Sequence, residues 1–196
     1  IGGVPVSRLA LEHGTPLVVY CEQTLRTRAQ AYRDAAPDAA ILYSVKAFPN
    51  VALLRLFADE GLGAEASTLG ELAYAQAAGV GGDALVVDGN NKSDEELAAA
   101  AQAGALLVLD APDDAERAAA AGVRRVLVRV TPGIDADTHW AIATGHRGSK
   151  FGLAPEQAKR LVIEGFLEAT VERFEAGFVR EAIAGALERR LEAVLG

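Results

Sequence analysis

The sequence contains no methionine, a single cysteine (Cys21), one tryptophan and only three histidines among 196 residues. One cysteine cannot close an internal disulfide, so the fold does not depend on an oxidising compartment. His13, His139 and His146 are dispersed, and no CxxC or HExxH spacing offers a metal cage. No apolar run approaches the ~20 residues that a membrane helix requires. With no methionine, Ile1 is expected to be the edge of a trimmed chain and not an initiating residue. No basic stretch followed by an apolar core and cleavage site opens the sequence, so a cytoplasmic protein is the expectation. Basic residues are also in deficit, 19 Lys and Arg against 27 Asp and Glu, for a net charge of −8. That is the wrong sign for a general binder of phosphate backbones, which sets nucleic acid aside as a partner.

What is present fits a globular domain: 51% of the residues are hydrophobic and 23% charged, enough to bury a core. Short apolar runs alternate with alanine-rich stretches of helical character. The runs are AILYSV at 40–45, a weaker LGAEA at 62–66, ALVVD at 84–88, ALLVLD at 105–110 and RVLVRV at 125–130. A spacing of about twenty residues leaves room for one helix per strand, and hence for consecutive parallel strands with right-handed crossovers. Thr68 with Glu71 and Ser93 with Glu96 have capping-box spacing, and Asp113 with Glu116 is a looser version after Pro112. Gly61, Gly79, Gly104 and Gly122 stand where helices should end. Before these units, PLVVY at 16–20 reads as a strand and a helix follows from about Gln23. After them, from near Pro155, one or two helices are expected, with Phe166, Leu167, Val171, Phe174, Phe178 and Val179 forming an amphipathic packing face.

In a βα barrel, chemistry collects where strands end, because the loops there converge on the axis. In order, the strand ends carry Lys46; Glu65 and Ser67; Asp88 with Asn90 and Asn91; Asp110; then Arg129 with Thr131. Polar residues follow most strands simply because loops begin there. Lys46 stands apart, since it is one of only four lysines and closes the apolar run ILYSV. Two readings stay open for it. In a partly desolvated site its charged form would be disfavoured, leaving the free amine of Schiff-base chemistry. Alternatively, it snorkels to the rim of the strand.

Longer motifs narrow the choice. YSVKAF at 43–48, GLGAEASTLGEL at 61–72, DGNNKSDEEL at 88–97, VRVTPGIDADTHWAIATG at 128–145 and SKFGL at 149–153 occur in the order found in diaminopimelate decarboxylases. Over residues 1–160 the chain resembles that family, in the alanine racemase-like (fold-type III) group of pyridoxal-phosphate enzymes. The resemblance implies an α/β fold, a parallel βα barrel of the TIM type. It also implies pyridoxal 5'-phosphate as cofactor, a small amino acid as substrate, no required metal and a homodimer. Carried across, Lys46 corresponds to the lysine that holds the cofactor, and Arg129 to the strand-end arginine beneath the cofactor ring. Glu65 stands where the family has aspartate, a carboxylate near the Schiff base, and Asp88 replaces the histidine that precedes GNNKS. Asn90, Asn91, Lys92 and Lys150 match positions expected to build loops or a subunit contact. The implied reaction releases the α-carboxylate of meso-2,6-diaminopimelate and yields L-lysine.

After SKFGL the family pattern calls for an HxHIGS-type motif, a glycine-rich phosphate loop, an EPGR-type loop and a β domain, and these 196 residues contain none of them. The expected architecture is therefore an incomplete barrel of about five βα units over 1–161, followed by a helical tail at 162–196. An open parallel edge exposes unpaired backbone groups, and the terminal helices are expected to cover it. Competing expectations are a non-catalytic barrel fragment that binds pyridoxal phosphate, an assembly module acting through its C-terminal helices, another fold-type III amino-acid decarboxylase, or a Schiff-base aldolase barrel.

Overall fold

The computed structural model describes residues 1–135, 137–139 and 143–195, with the side chains of 192, 194 and 195 outside the description. Positions 136 and 140–142 of the 128–145 motif therefore lie outside the described residues. Five strands hydrogen-bond in chain order, β1 (Leu42–Ser44), β2 (Gly63–Ala66), β3 (Leu85–Val87), β4 (Leu106–Leu109) and β5 (Val126–Val128). The first three pairings are parallel. Each strand is followed by a helix or a connection that returns the chain to the same end, so the fold is the incomplete α/β barrel of five βα units. Two compact units divide the chain: Ile1–Leu107 with Ala121–Arg125, and Val108–Ala120 with Val126 onward.

The first unit carries α1 (Val6–His13), α2 (Glu22–Ala35), α3 (Val51–Asp59), α4 (Leu69–Ala77) and α5 (Asp94–Gln102). Alternation along the strands sorts their side chains between two faces. Ala64 and Ala66 of β2 are fully buried, and the Tyr43 ring packs on Phe57 of α3 with centroids 4.7 Å apart. Ala29, Leu53, Phe57 and Leu62 form a cluster that joins α2 and α3, with Ile41 and Tyr43 packed against it. Close packing extends to the backbone, since a Cβ on Gly63 would lie 2.3 Å from the Ala84 carbonyl oxygen.

Helix ends follow the sequence signals closely. Gly61, Gly79, Gly104 and Gly122 all have positive φ, as expected of residues that close a helix in the left-handed region. Ser93 and Glu96 make the full reciprocal capping box. Thr68 accepts from the Glu71 amide, but the Glu71 carboxylate reaches the Ser67 amide at 2.7 Å, one residue before the expected partner. A polar clamp locks α2 to the end of α3: Arg26 donates to Glu60 at 2.6 Å, Gln30 donates to its other oxygen at 2.9 Å, and Arg33 donates to the Glu60 carbonyl. The Arg26 hydrogen bond, with that from Gln30, holds the Glu60 carboxyl below the usual carboxylate range.

The second unit holds α6 (Asp114–Ala120), β5, α7 (Pro155–Val171) and α8 (Phe178–Leu195). Beyond β5, Val130 forms a parallel bridge with Leu153, supported by bonds from the Thr131 amide to the Leu153 carbonyl and from the Leu153 amide to the Arg129 carbonyl.

Four expectations need correction. Residues 16–20 form no strand: Val18 is 79% exposed, because among the described residues no neighbouring strand satisfies the segment's backbone. Asp113 makes no side-chain cap among the described residues; Asp114, the first residue of α6, instead reaches back and accepts from the loop amides of Asp110 and Ala111. The C-terminal packing face is only partly used, for Val171 is buried while Phe166 (73%) and Phe178 (84%) are exposed. Finally, the edge at β5 is only partly covered: SKFGL pairs just beyond it through Val130 and Leu153, while Val126 and Leu127 stay exposed.

Two measurements check this packing. Leu54→Ala, on the buried face of α3, should lower unfolding free energy by roughly 2–5 kcal/mol in denaturant titration; a loss under about 0.5 kcal/mol would contradict its burial in close-packed core. The Glu60 clamp stabilises above the ordinary carboxylate range and is lost as pH falls through the lowered Glu60 value. Glu60→Gln should therefore flatten the acid limb of a melting-temperature profile and leave its shape above neutrality unchanged.

Candidate functional site

In the first unit the strand tips build outward from a register. Parallel pairing sets Ser44 of β1 opposite Glu65 of β2, so both side chains leave the sheet on one face, opposite to Tyr43 and Ala64. Ser67 lies two residues beyond Glu65 and shares that side. The Ser44 hydroxyl donates to Glu65 Oε2, and the Ser67 hydroxyl donates to Oε1 at 2.9 Å. Both carboxylate oxygens are thus engaged. All three side chains are half-buried.

Lys46 stands two residues after Ser44, in a single 3-10 turn over Val45–Ala47 that follows β1 directly. Val45 is fully buried and anchors the turn. The Lys46 side chain is exposed and makes no hydrogen bond or ion pair among the described residues. Of the two readings left open for Lys46, its exposure fits the one in which the side chain reaches out to the rim of the strand.

The DGNNKS loop follows β3. The Asp88 carboxylate accepts from the Gly89 amide at 2.7 Å. Lys92, only 3% exposed, donates from Nζ to the Gly89 carbonyl at 2.7 Å and so hooks its own loop from beneath. Asn90 is half-buried and Asn91 exposed.

In the second unit Asp110, at the end of β4, is the centre of a tight network. Its Oδ2 accepts from Arg129 Nη1 at 3.0 Å and its Oδ1 from the Gly152 amide at 2.7 Å. The Arg129 guanidinium also lies over the Phe151 ring, 4.4 Å from its centroid, a cation–π contact that fixes its plane. Lys150 approaches the same ring at 5.2 Å. The Thr131 hydroxyl donates to the Phe151 carbonyl. Gly152 has φ +72°, and a Cβ there would come within 2.8 Å of Thr131 Oγ1 and 2.9 Å of the Arg129 carbonyl. The SKFG motif thereby serves as a buttress for Arg129.

Lys46 and Glu65 thus fall on the tips of adjacent paired strands of one unit, whereas Arg129 belongs to the other. Sequence reasoning missed the parts played by Ser44, Phe151 and Gly152. Ser44 could have been found from alternation, because β1 and β2 in parallel register place it beside Glu65. No group of three or more His, Cys, Asp or Glu able to hold a metal ion occurs among the described residues, and no described helix is long and apolar enough to cross a membrane.

Known proteins share this fold. The family model described as pyridoxal-dependent decarboxylase, pyridoxal binding domain, matches residues 22–171. A diaminopimelate decarboxylase from Actinosynnema pretiosum subsp. auranticum is 43% identical over 157 residues, covering 79% of this chain and 36% of that protein. One from Deinococcus radiodurans is 43% identical over 155 residues, covering 79% of this chain and 40% of the relative. The crystal structure of diaminopimelate decarboxylase from Helicobacter pylori complexed with L-lysine matches with a TM-score of 0.73 at 26% identity, over 80% of this chain and 42% of that one. The chain spans about two-fifths of the length of the curated relatives it matches.

The Asp110 network yields a direct check. Asp110→Asn removes the charge that holds Arg129 and turns an amide towards a guanidinium. Stability should fall by about 2 kcal/mol in denaturant titration; an unchanged midpoint would mean that the pair does not anchor the SKFG segment.

Proposed function

We propose, for a chain that belongs to the pyridoxal-dependent decarboxylases through their pyridoxal-binding domain, that Lys46 holds pyridoxal 5'-phosphate and that the enzyme acts on meso-2,6-diaminopimelate to give L-lysine. The observation that carries this reading is the Lys46 amine at the tip of β1, unpartnered among the described residues and followed on the next strand by an oriented carboxylate. This donor set fits an aldehyde cofactor, since an amine committed to an ion pair would not be available to a carbonyl. When bound, pyridoxal phosphate supplies an electron sink for the pair left by cleavage of the Cα–carboxylate bond.

The chain's own residues contribute binding and orientation. Lys46 offers the covalent attachment point. Glu65, with an oxygen held by each serine, presents its remaining lone pairs as a proton acceptor or a partner for positive charge. Arg129 offers a flat cation whose plane is set by Phe151 and whose charge is offset by Asp110, suited to lie beneath a planar ring. The substrate assignment draws support from diaminopimelate decarboxylases at 43% identity. The proposal extends to a homodimeric, cytoplasmic enzyme.

A second reading is favoured by the exposure of Lys46: these 196 residues attach the cofactor without turnover, and decarboxylation belongs to the longer protein. Incubation with pyridoxal phosphate, borohydride trapping and peptide mapping should place the label on Lys46 and lose it in Lys46→Ala. A label confined to other lysines would refute the assignment. Carbon dioxide release from meso-diaminopimelate by this chain would reject the second reading.

A further inference from the structure

Glu65 is tied from both neighbouring positions of the sheet. Ser44 reaches it across the β1–β2 pairing and Ser67 reaches it from two residues along its own strand. A glutamate at a strand tip ordinarily samples many rotamers, and fixing it costs side-chain entropy. Here two hydroxyls, each with one proton to give, engage different oxygens of one carboxylate, which sets its plane as well as its position. One lone-pair site on each oxygen is used and the others remain open. An aspartate at 65 would withdraw the carboxylate from both hydroxyls by one methylene. Ser44 belongs to the strand that continues to Lys46, so the cross-tie joins the carboxylate to the segment bearing the amine. Lys46 itself makes no hydrogen bond to either serine among the described residues.

We propose that Ser44 and Ser67 are positioning residues that hold the Glu65 carboxylate in one orientation towards the group carried by Lys46. The inference rests on the assignment of Lys46 above. Each serine acts through Glu65, and neither contacts the reacting atoms.

The test has one arm without cofactor and one with it. In the unliganded chain, the carboxyl 13C resonance of Glu65, assigned by its loss in Glu65→Gln, should move to the position of exposed glutamates in Ser44→Ala/Ser67→Ala. It should hold its place in Ser44→Thr/Ser67→Thr, which keeps both hydroxyls. With pyridoxal phosphate as the probe, the double alanine variant should raise the apparent dissociation constant about tenfold, equivalent to ~1.4 kcal/mol. It should also shift the visible band of the trapped species, with the label still on Lys46. The threonine pair should restore both values, and Glu65→Asp should behave like the alanine pair. The far-UV circular dichroism of the parent chain and a single cooperative thermal transition would show that each variant folds. An unmoved Glu65 resonance overturns the proposal while leaving Lys46 untouched, as does normal cofactor binding by the alanine pair when Glu65→Ala binds weakly. A label away from Lys46 in the parent chain overturns the earlier assignment and this one with it.

Discussion

Parallel pairing of β1 with β2, Leu42 opposite Gly63 and Ser44 opposite Glu65, is the constraint from which the rest of the first unit follows. A slip of one residue would exchange the faces. Tyr43 would leave Phe57, and Ser44 and Glu65 would enter the apolar layer under α3 and α4, where a carboxylate without its hydroxyl partners is costly. The register is held by packing on one face, through Ala64, Ala66 and the Tyr43–Phe57 contact, and by the serine–glutamate bonds on the other. Core formation and site formation are therefore one event in this part of the chain. Gly63 belongs to the same constraint, because the backbone of Ala84 approaches too closely for any side chain there.

The second unit reaches a comparable result by a different route. Its polar anchor, Asp110, is nearly inaccessible and spends both oxygens on chain segments distant in sequence, Arg129 and Gly152. Asp114 in turn caps the backbone at Asp110, so one carboxylate fixes the strand end and a second fixes what gathers around it. Burial of a carboxylate is tolerable because its charge and lone pairs are met. Phe151 adds a flat surface that keeps the guanidinium from rotating away.

Much of this was legible in the residues. The five apolar runs became β1 to β5, four glycines closed helices, and Ser93 with Glu96 capped α5, since each of these depends on local chemistry. The strand expected at 16–20 did not form, because a strand depends on a neighbour that local pattern cannot supply. The apolar residues of α7 and α8 signalled helix correctly but not which of them would find a partner. At the site, the place of Lys46 followed from the run it terminates. Its exposure did not, because desolvation is a property of what packs around a residue and not of its own strand. The Asp110 network joins positions up to 42 residues apart, beyond the reach of spacing rules.

Lys92 carries a practical corollary. Its ammonium is folded under the DGNNKS turn and withdrawn from solvent, while the remaining three lysines, 46, 150 and 159, are exposed. Amine-directed acylating reagents applied to the folded chain will consequently modify those three, together with the α-amino group of Ile1, and spare Lys92. Acylation of Lys92, located by peptide mapping, would then serve as a chemical clock for the opening of that one turn.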